Sequence, residues 1–555
     1  MDYIVKNKQI TFLIFLLIFT NYFLTFEIRY KTLIYLVIFL YSFFFNKSSI
    51  SKLNLNIKLY YLLLFLITLI FQNHLLNFEI ISIDVPSYLV ASQSVSLSTL
   101  PYEIQWESKG PLFMYLYKLV LLLSGSSYIY FRLANDILLF LISVLIFKII
   151  EIKSKNNLQA FLGSLLFLLL TSYEWYLSEY SEIYCLIFLI LQYFLIQKFG
   201  YKDWTIVLSG ILFSFSTLIN QGTAIFIVLF SIVLSLEFKR RAILKVVILS
   251  SSFLVPHFIM FLIYFFNNLQ NIYFTNYISI PLNYVGSGNF KFYELIVWLR
   301  RYFFYSENLY YLILIIPFLV IFSSRKLISK KEFIFDLSYL LSSFLIYFIA
   351  GHNYQHHLFY LIAFGCILTS YIKLNNKTIM YPLLVVIVSI QLLISLSPLS
   401  YNNLKSIDRT YNNYPLLQLS KEINDQFNER EYTVLAVDSV LVLFYLNKMN
   451  NTYIVHPFNH YEEYIVSSLL RTGNLKSNEL SHLSYAVDLN PDVIICVPTQ
   501  IVSGSPNSSE IFNCEVTDYK KDYYRLDTNP YTENMNGQYY YDPYSKVQVY
   551  LKNNQ

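Results

Sequence analysis

Asp84 and Lys109 are the two residues in this chain whose types and settings most readily suggest chemistry. Asp84 stands in Ile-Ser-Ile-Asp84-Val-Pro-Ser-Tyr88, directly after an apolar run. A carboxylate at that boundary can stay ionised, or gain proton affinity by burial, and so act as a base. Lys109 stands in Trp106-Glu107-Ser108-Lys109-Gly110-Pro111-Leu112. A cation fixed at a Gly-Pro turn beside an apolar stretch is a seat for a lipid phosphate. Leu100-Pro101-Tyr102-Glu103 lies between them and adds aromatic and acidic groups. The plainer reading makes both charges solvated loop residues. No CxxC or HExxH pattern accompanies them.

The elements that must position these residues are membrane spans. Of 555 residues, 56% are hydrophobic, 19% aromatic and 14% charged. Soluble domains carry about 25% charged residues. Mean hydropathy is +0.48, more apolar surface than a soluble fold hides but not more than a bilayer accepts. Composition excludes a disordered chain, a fibrous protein and a disulfide scaffold. A net charge of +5, with no long basic run, argues against a nucleic-acid partner. Cys185 and Cys366 lie in apolar stretches and read as small hydrophobes. Cys496 and Cys514 either pair or stay free, depending on the compartment.

Long apolar runs predict about thirteen spanning helices. They lie near 9–26, 31–46, 59–76, 129–150, 158–173, 182–198, 204–219, 222–236, 246–266, 308–322, 334–350, 356–372 and 378–397. The first run lacks a small-residue cleavage site and reads as an anchor. With the N-terminus cytoplasmic, loops on that side hold twenty Lys and Arg, against eight on the other side of the membrane part. That bias sets the orientation. The chain is read as a multi-pass protein of the plasma (inner) membrane, with loop 77–128 on the outer face.

A second outer loop, 267–307, is rich in Asn and Tyr. Beyond about residue 400 the chain is polar. Short β-type runs at Tyr432–Val437, Thr452–Val455, Asp492–Val497 and Val547–Leu551, with a helix over Ser439–Asn447, predict an extracytoplasmic α/β domain. No catalytic constellation is legible in it, and His456 and Asp438 stand isolated. The expected organisation is extra N-terminal spans over 1–58, a catalytic membrane domain over 59–399 and the α/β domain over 400–555.

Asp84, Tyr88, Pro101-Tyr102, Trp106, Lys109-Gly110-Pro111-Leu112 and Tyr115 occur in an order that resembles the GT-C superfamily of polyprenyl-phosphate-sugar glycosyltransferases. The nearest branch is glycosyltransferase family 39-like, with the protein O-mannosyltransferases and lipid A aminoarabinose transferases as relatives. Phe131-Arg132-Leu133, Ser181-Glu182 and Gln221-x-x-Ala224 resemble further steps of that pattern, as does Gly351-His352-x-Tyr354-x-His356-His357. Asn220 stands where the family usually has Lys, His352 where it has Arg, and His357 where it has Tyr. Three spans precede the acidic loop in place of one, which keeps the loop outward.

The resemblance implies a GT-C fold over roughly 59–400 and an inverting transfer of sugar from polyprenyl phosphate to an acceptor hydroxyl. It implies Asp84 as general base, with Lys109, Arg132 and His356 around the donor phosphate. Glu182 would bind sugar or acceptor hydroxyls, in competition with Glu174 and Glu179 of the same loop. Tyr88 and Trp106 would stack on a sugar, although such residues are normally interfacial belt residues. Arg132 can also snorkel, and Arg300 and Arg301 are either anchors or phosphate contacts. His352, His356 and His357 read as hydrated histidines at a helix start, with no metal assigned, although a divalent cation is left open. The partners are the lipid bilayer, a polyprenyl-linked donor and an acceptor that is lipid, glycan or protein. The rivals are an O-antigen ligase or polymerase, which places its main loop late in the chain, and a lipid or sugar transporter, which buries polar groups within its spans.

Overall fold

A computed structural model describes residues 56–72, 84–171, 178–287, 312–349, 355–371, 414–475, 490–496, 522–526 and 547–553, less seven single positions. The predicted spans 9–26, 31–46 and 378–397 lie outside the described residues, as do Glu174, Arg300, Arg301, His352, Asp438 and Cys514.

Each of the other ten predicted spans is met by a helix. The early ones are α1 (Ile57–Gln72), α4 (Tyr128–Ser154), α5 (Asn157–Leu170), α6 (Ser181–Phe199), α7 (Asp203–Ile219), α8 (Ala224–Phe238) and α9 (Ala242–Phe266). After them come α11 (Leu312–Ser323), α12 (Lys330–Ile349) and α13 (Phe359–Ile367). Among the described residues, Tyr128–Ser154, Ser181–Phe199 and Gln221–Phe266 are long and apolar enough to cross a membrane. Several others are shorter apolar helices. This is a helical membrane protein.

Local sequence sets the ends of these helices. Lys155 and Gly200 leave α4 and α6 with positive φ, and each N–H returns to the last turn of its helix. The 46-residue apolar stretch Gln221–Phe266 is broken at Lys239-Arg240-Arg241, and α8 and α9 pack on each other.

The described part of the expected loop 77–128, residues 84–128, is more than a loop. It holds α2 (Asp84–Gln93) and α3 (Pro111–Leu123). The expectation of a plain loop fails because α3, at 13 residues, is too short to read as a span. The second expected loop likewise contains helix, at Gln270–Tyr273, a π-helical turn at Phe274–Ser279, and α10 (Ile280–Ser287). Gly110 explains how α3 seats. Its N–H donates to the carbonyl of Ile219 at 2.8 Å, and a Cβ there would stand 2.1 Å from the Leu218 carbonyl oxygen. Pro111 then opens the helix with φ preset and no N–H to satisfy.

The C-terminal part holds α14 (Pro415–Phe427), β1 (Val434–Ala436), α15 (Leu441–Leu446), α16 (Glu463–Arg471), β2 (Val493–Cys496), β3 (Tyr523–Arg525) and β4 (Gln548–Lys552). The strands form one sheet in the order β1-β2-β4-β3, with β1 parallel to β2 and the other pairs antiparallel. Three of the four expected strands and the helix after the first appear. Thr452–Val455 does not join the sheet; Ile454 pairs instead with Trp106. Cys496 is disulfide-bonded, and Cys185 and Cys366 are free and buried.

Candidate active site

Asp84 opens α2, where the partial positive charge of the helix start favours a carboxylate. Lys109 ends the loop that leads into α3. The Tyr102 hydroxyl donates to the Lys109 carbonyl, and Tyr102 itself takes a left-handed φ of 67°. The loop thus closes on itself and holds the lysine backbone. Lys109 Nζ lies 5.7 Å from the centre of the Tyr88 ring and 3.9 Å from Glu182 Oε1. Glu182, in the first turn of α6, also accepts from the Asn220 amide at 3.3 Å. Asn220, at the position where a cation was expected, therefore ties α7 to the same carboxylate.

His356 is buried and His357 nearly so. His356 is 6% exposed and stacks on Tyr180 at 5.0 Å with a 10° tilt. His357 Nε2 lies 3.7 Å from Glu182 Oε1. The expectation of water-facing histidines fails because this turn folds inward against α6. Glu182, His356 and His357 place one ligand atom each within 4.8 Å of one another. Two histidines and a carboxylate suit a divalent transition metal. Lys109 already brings a cation to the same carboxylate.

His456 is the residue that the sequence reading missed. Its Nε2 lies 2.9 Å from Asp84 Oδ1, so the C-terminal part contributes to the site. No local signal marks it, since 372 residues separate the partners. The segment before it is laced to the loop before Lys109. The Trp106 N–H donates to the Tyr453 carbonyl at 2.7 Å, and the Gln105 amide donates to the carbonyls of Asn450 and Thr452 at 3.2 and 3.1 Å.

Electrostatics follow from this packing. Burial pushes the Asp84 carboxyl up, but the hydrogen bond and charge of His456, with His356 and Lys109, outweigh it and hold the group at about 2. Burial lowers His456, and the bond to Asp84 more than reverses this, so its proton affinity is raised. Burial raises Glu107. One of its oxygens accepts from the Ser108 N–H and hydroxyl. Lys109 loses affinity by burial and regains more from Glu182, Asp84 and Glu107.

The remaining predicted residues fall in two settings. Tyr88 is enclosed between Phe113 and Tyr117, with edge contacts at 5.0 and 6.0 Å. Trp106 is wholly buried at the junction with the C-terminal part. Neither is a lipid-facing belt residue. Arg132, in the first turns of α4, donates from Nε to Glu179 at 3.0 Å, inside a second buried cluster with Asp136 and Ser178. The three competing glutamates thus separate. Glu182 joins Lys109, Glu179 joins Arg132, and Glu174 lies outside the described residues.

No family model and no curated relative matches the sequence. Solved structures do match in fold. ArnT from Cupriavidus metallidurans bound to undecaprenyl phosphate aligns with TM-score 0.55 at 10% identity, covering 89% of this chain and 97% of that one. The same protein in the apo state gives 0.48 at 11%, covering 79% and 92%. The archaeal oligosaccharyltransferase AglB from Archaeoglobus fulgidus, in complex with an inhibitory peptide and a dolichol-phosphate, gives 0.43 at 11%, covering 79% and 69%. The agreement with the first structure, a GT-C enzyme, spans almost the whole of both chains. This chain has the GT-C fold.

Proposed function

We propose that the protein is an integral-membrane transferase that moves a sugar from a polyprenyl-phosphate donor to an acceptor hydroxyl at the extracytoplasmic face. The observation that carries this reading is the meeting of Asp84, Lys109, Glu182 and His356 in one partly enclosed group on a GT-C fold. ArnT with that fold holds undecaprenyl phosphate, a donor-type lipid with the anionic head that Lys109 suits.

In this reading the acceptor hydroxyl lies against Asp84. The carboxylate is ionised, so it can receive the proton as the acceptor oxygen bonds to the anomeric carbon. The bond from that carbon to the phosphate oxygen breaks, and polyprenyl phosphate leaves with its charge stabilised by the Lys109 ammonium. Attack opposite the leaving group inverts the anomeric centre. Arg132 would act near the same phosphate only if its pairing with Glu179 loosened. The sugar, and whether the acceptor is lipid, glycan or protein, set the specificity.

The test is transfer from a panel of radiolabelled polyprenyl-phosphate sugars in membranes, comparing wild type with Asp84→Asn. Consumption of one donor by wild type, abolished in Asp84→Asn, supports both the activity and the base. An active Asp84→Asn removes the base assignment. No consumption of any donor with a broad acceptor set turns the reading toward a ligase or a transporter.

A further inference from the structure

We infer that His456 is a positioning residue for Asp84, supplied to the membrane-face site by the C-terminal part of the chain. The inference rests on the transferase reading only for its kinetic consequence; the pair itself is geometric. His456 Nε2 and Asp84 Oδ1 are 2.9 Å apart, the distance of a charge-assisted hydrogen bond. His456 is 8% exposed.

The histidine is delivered by a built interface. Gln105 holds Asn450 from both ends of its amide, accepting from the Asn450 N–H at 3.1 Å while donating to its carbonyl. The Tyr453 hydroxyl donates to the Tyr102 carbonyl, and the Val455 N–H donates to the Trp106 carbonyl at 3.4 Å. The strand-like segment 450–455 therefore lies along the same loop that carries Lys109. Its next residue is His456. On the far side, the Asn459 N–H returns to the His456 carbonyl at 3.1 Å and closes a turn.

A carboxylate at the first residue of a helix can take several rotamers. The bond from His456 selects one, as an orienting partner does for a catalytic imidazole in hydrolase triads. The imidazolium also stabilises the ionised carboxylate, which fixes its charge state and orientation while lowering its proton affinity. Among the described residues, the other titratable groups that face this pair are Glu107, Lys109, His356 and His460. Burial and the nearby His456 keep His460 low, so it is neutral where His456 is charged.

The test uses the full-length protein, with His456→Gln and Asp84→Asn singly and together. Gln keeps an N–H donor but cannot carry charge. Expected for His456→Gln is a fall in kcat of about 10²-fold with donor KM little changed, since an orienting partner acts on the chemical step. The acid limb of kcat/KM should move up by about one pH unit. An alkaline limb present in wild type should be missing from the variant. An unchanged kcat and pH profile in His456→Gln overturns the proposal. The melting temperatures of the four proteins should be non-additive, because the two side chains share one bond; additivity overturns the pairing. If no sugar donor is ever consumed while the melting temperatures remain non-additive, the transferase reading has failed and the pair stands.

Discussion

Lys109 Nζ lies 3.9 Å from Glu182 Oε1, joining the loop before α3 to the first turn of α6. The glutamate side chain is wholly buried and the lysine nearly so. Glu182→Gln should therefore leave a buried ammonium with less compensation and a misplaced tip. The expected result is a loss of about tenfold or more in kcat/KM, because truncating one partner of a desolvated pair costs well over 1 kcal/mol. The loss should fall mainly on donor KM if Lys109 binds the phosphate in the ground state. Steady-state kinetics with varied donor checks this, and a loss confined to acceptor KM would move Glu182 to the acceptor side.

Gly110→Ala tests whether the Lys109 turn depends on close backbone contact. The added Cβ would meet the Leu218 carbonyl carbon at 2.7 Å as well as its oxygen, and backbone cannot swing aside as a flexible side chain does. Overpacking of this kind costs about 1–3 kcal/mol or more. Transfer activity should fall by about 10²-fold, because the turn displaced is the one that aims Lys109. Activity per folded molecule, measured after size-exclusion chromatography, is the readout. Near-wild-type activity would show that α3 can move away from α7 without effect.

Trp106→Ala should loosen the C-terminal part from the membrane part. The side chain is wholly buried, and its backbone forms the bridge to Ile454. Truncating a buried Trp costs about 3–5 kcal/mol. Limited proteolysis should then cut within the C-terminal part at protease levels that leave the wild type intact. An unchanged digestion pattern would mean that the backbone bonds of Gln105 and Tyr453 hold the junction alone.

The membrane helices were legible because long apolar runs admit few other solutions. Asp84 and Lys109 were legible as candidates because a charge beside an apolar run is conspicuous. What escaped was every relationship made across the chain. His456 looks like any isolated histidine until Tyr453 and Trp106 bring it to Asp84. The burial of His356 and His357 depends on α6 and Tyr180, which no local pattern reports. The resemblance implied Arg132 as a phosphate ligand, and its guanidinium is turned to Glu179 in the folded chain. The segment Thr452–Val455 has strand composition, and it uses that extended form to meet a loop in place of the sheet.

A further buried pair offers a control on stability without chemistry. Lys153 Nζ lies 2.8 Å from Asp336 Oδ2, and the hydroxyls of Tyr193 and Tyr371 donate to the same carboxylate. Lys153 is 21 residues beyond Arg132 on α4, about 30 Å along the helix from that residue. Asp336→Asn should destabilise by about 3–5 kcal/mol, since it leaves an enclosed ammonium unpaired. Transfer per folded molecule should be unaltered. Replacing both residues together, Lys153→Met with Asp336→Leu, should recover much of the loss. Detergent thermal melts of the three proteins decide it; an additive double variant would show that the pair is not coupled.

The Asp84–His456 pair should also set how the docking of the C-terminal part varies with pH. Asp84 has its proton affinity lowered on folding, so its contribution is present above its unfolded value, about 3.9, and is lost as pH falls toward about 2. His456 has its affinity raised, so its contribution is full below its unfolded value, about 6.5, and is lost as pH rises through the higher folded value. Both contributions are complete only between about pH 4 and 6.5. The difference in melting temperature between wild type and His456→Gln should therefore be largest in that window and shrink on either side. Taking the difference removes the other titrating groups, which both proteins share. A difference that stays level from pH 5 to 9 would mean that His456 holds Asp84 as a neutral donor, with no charge on the ring.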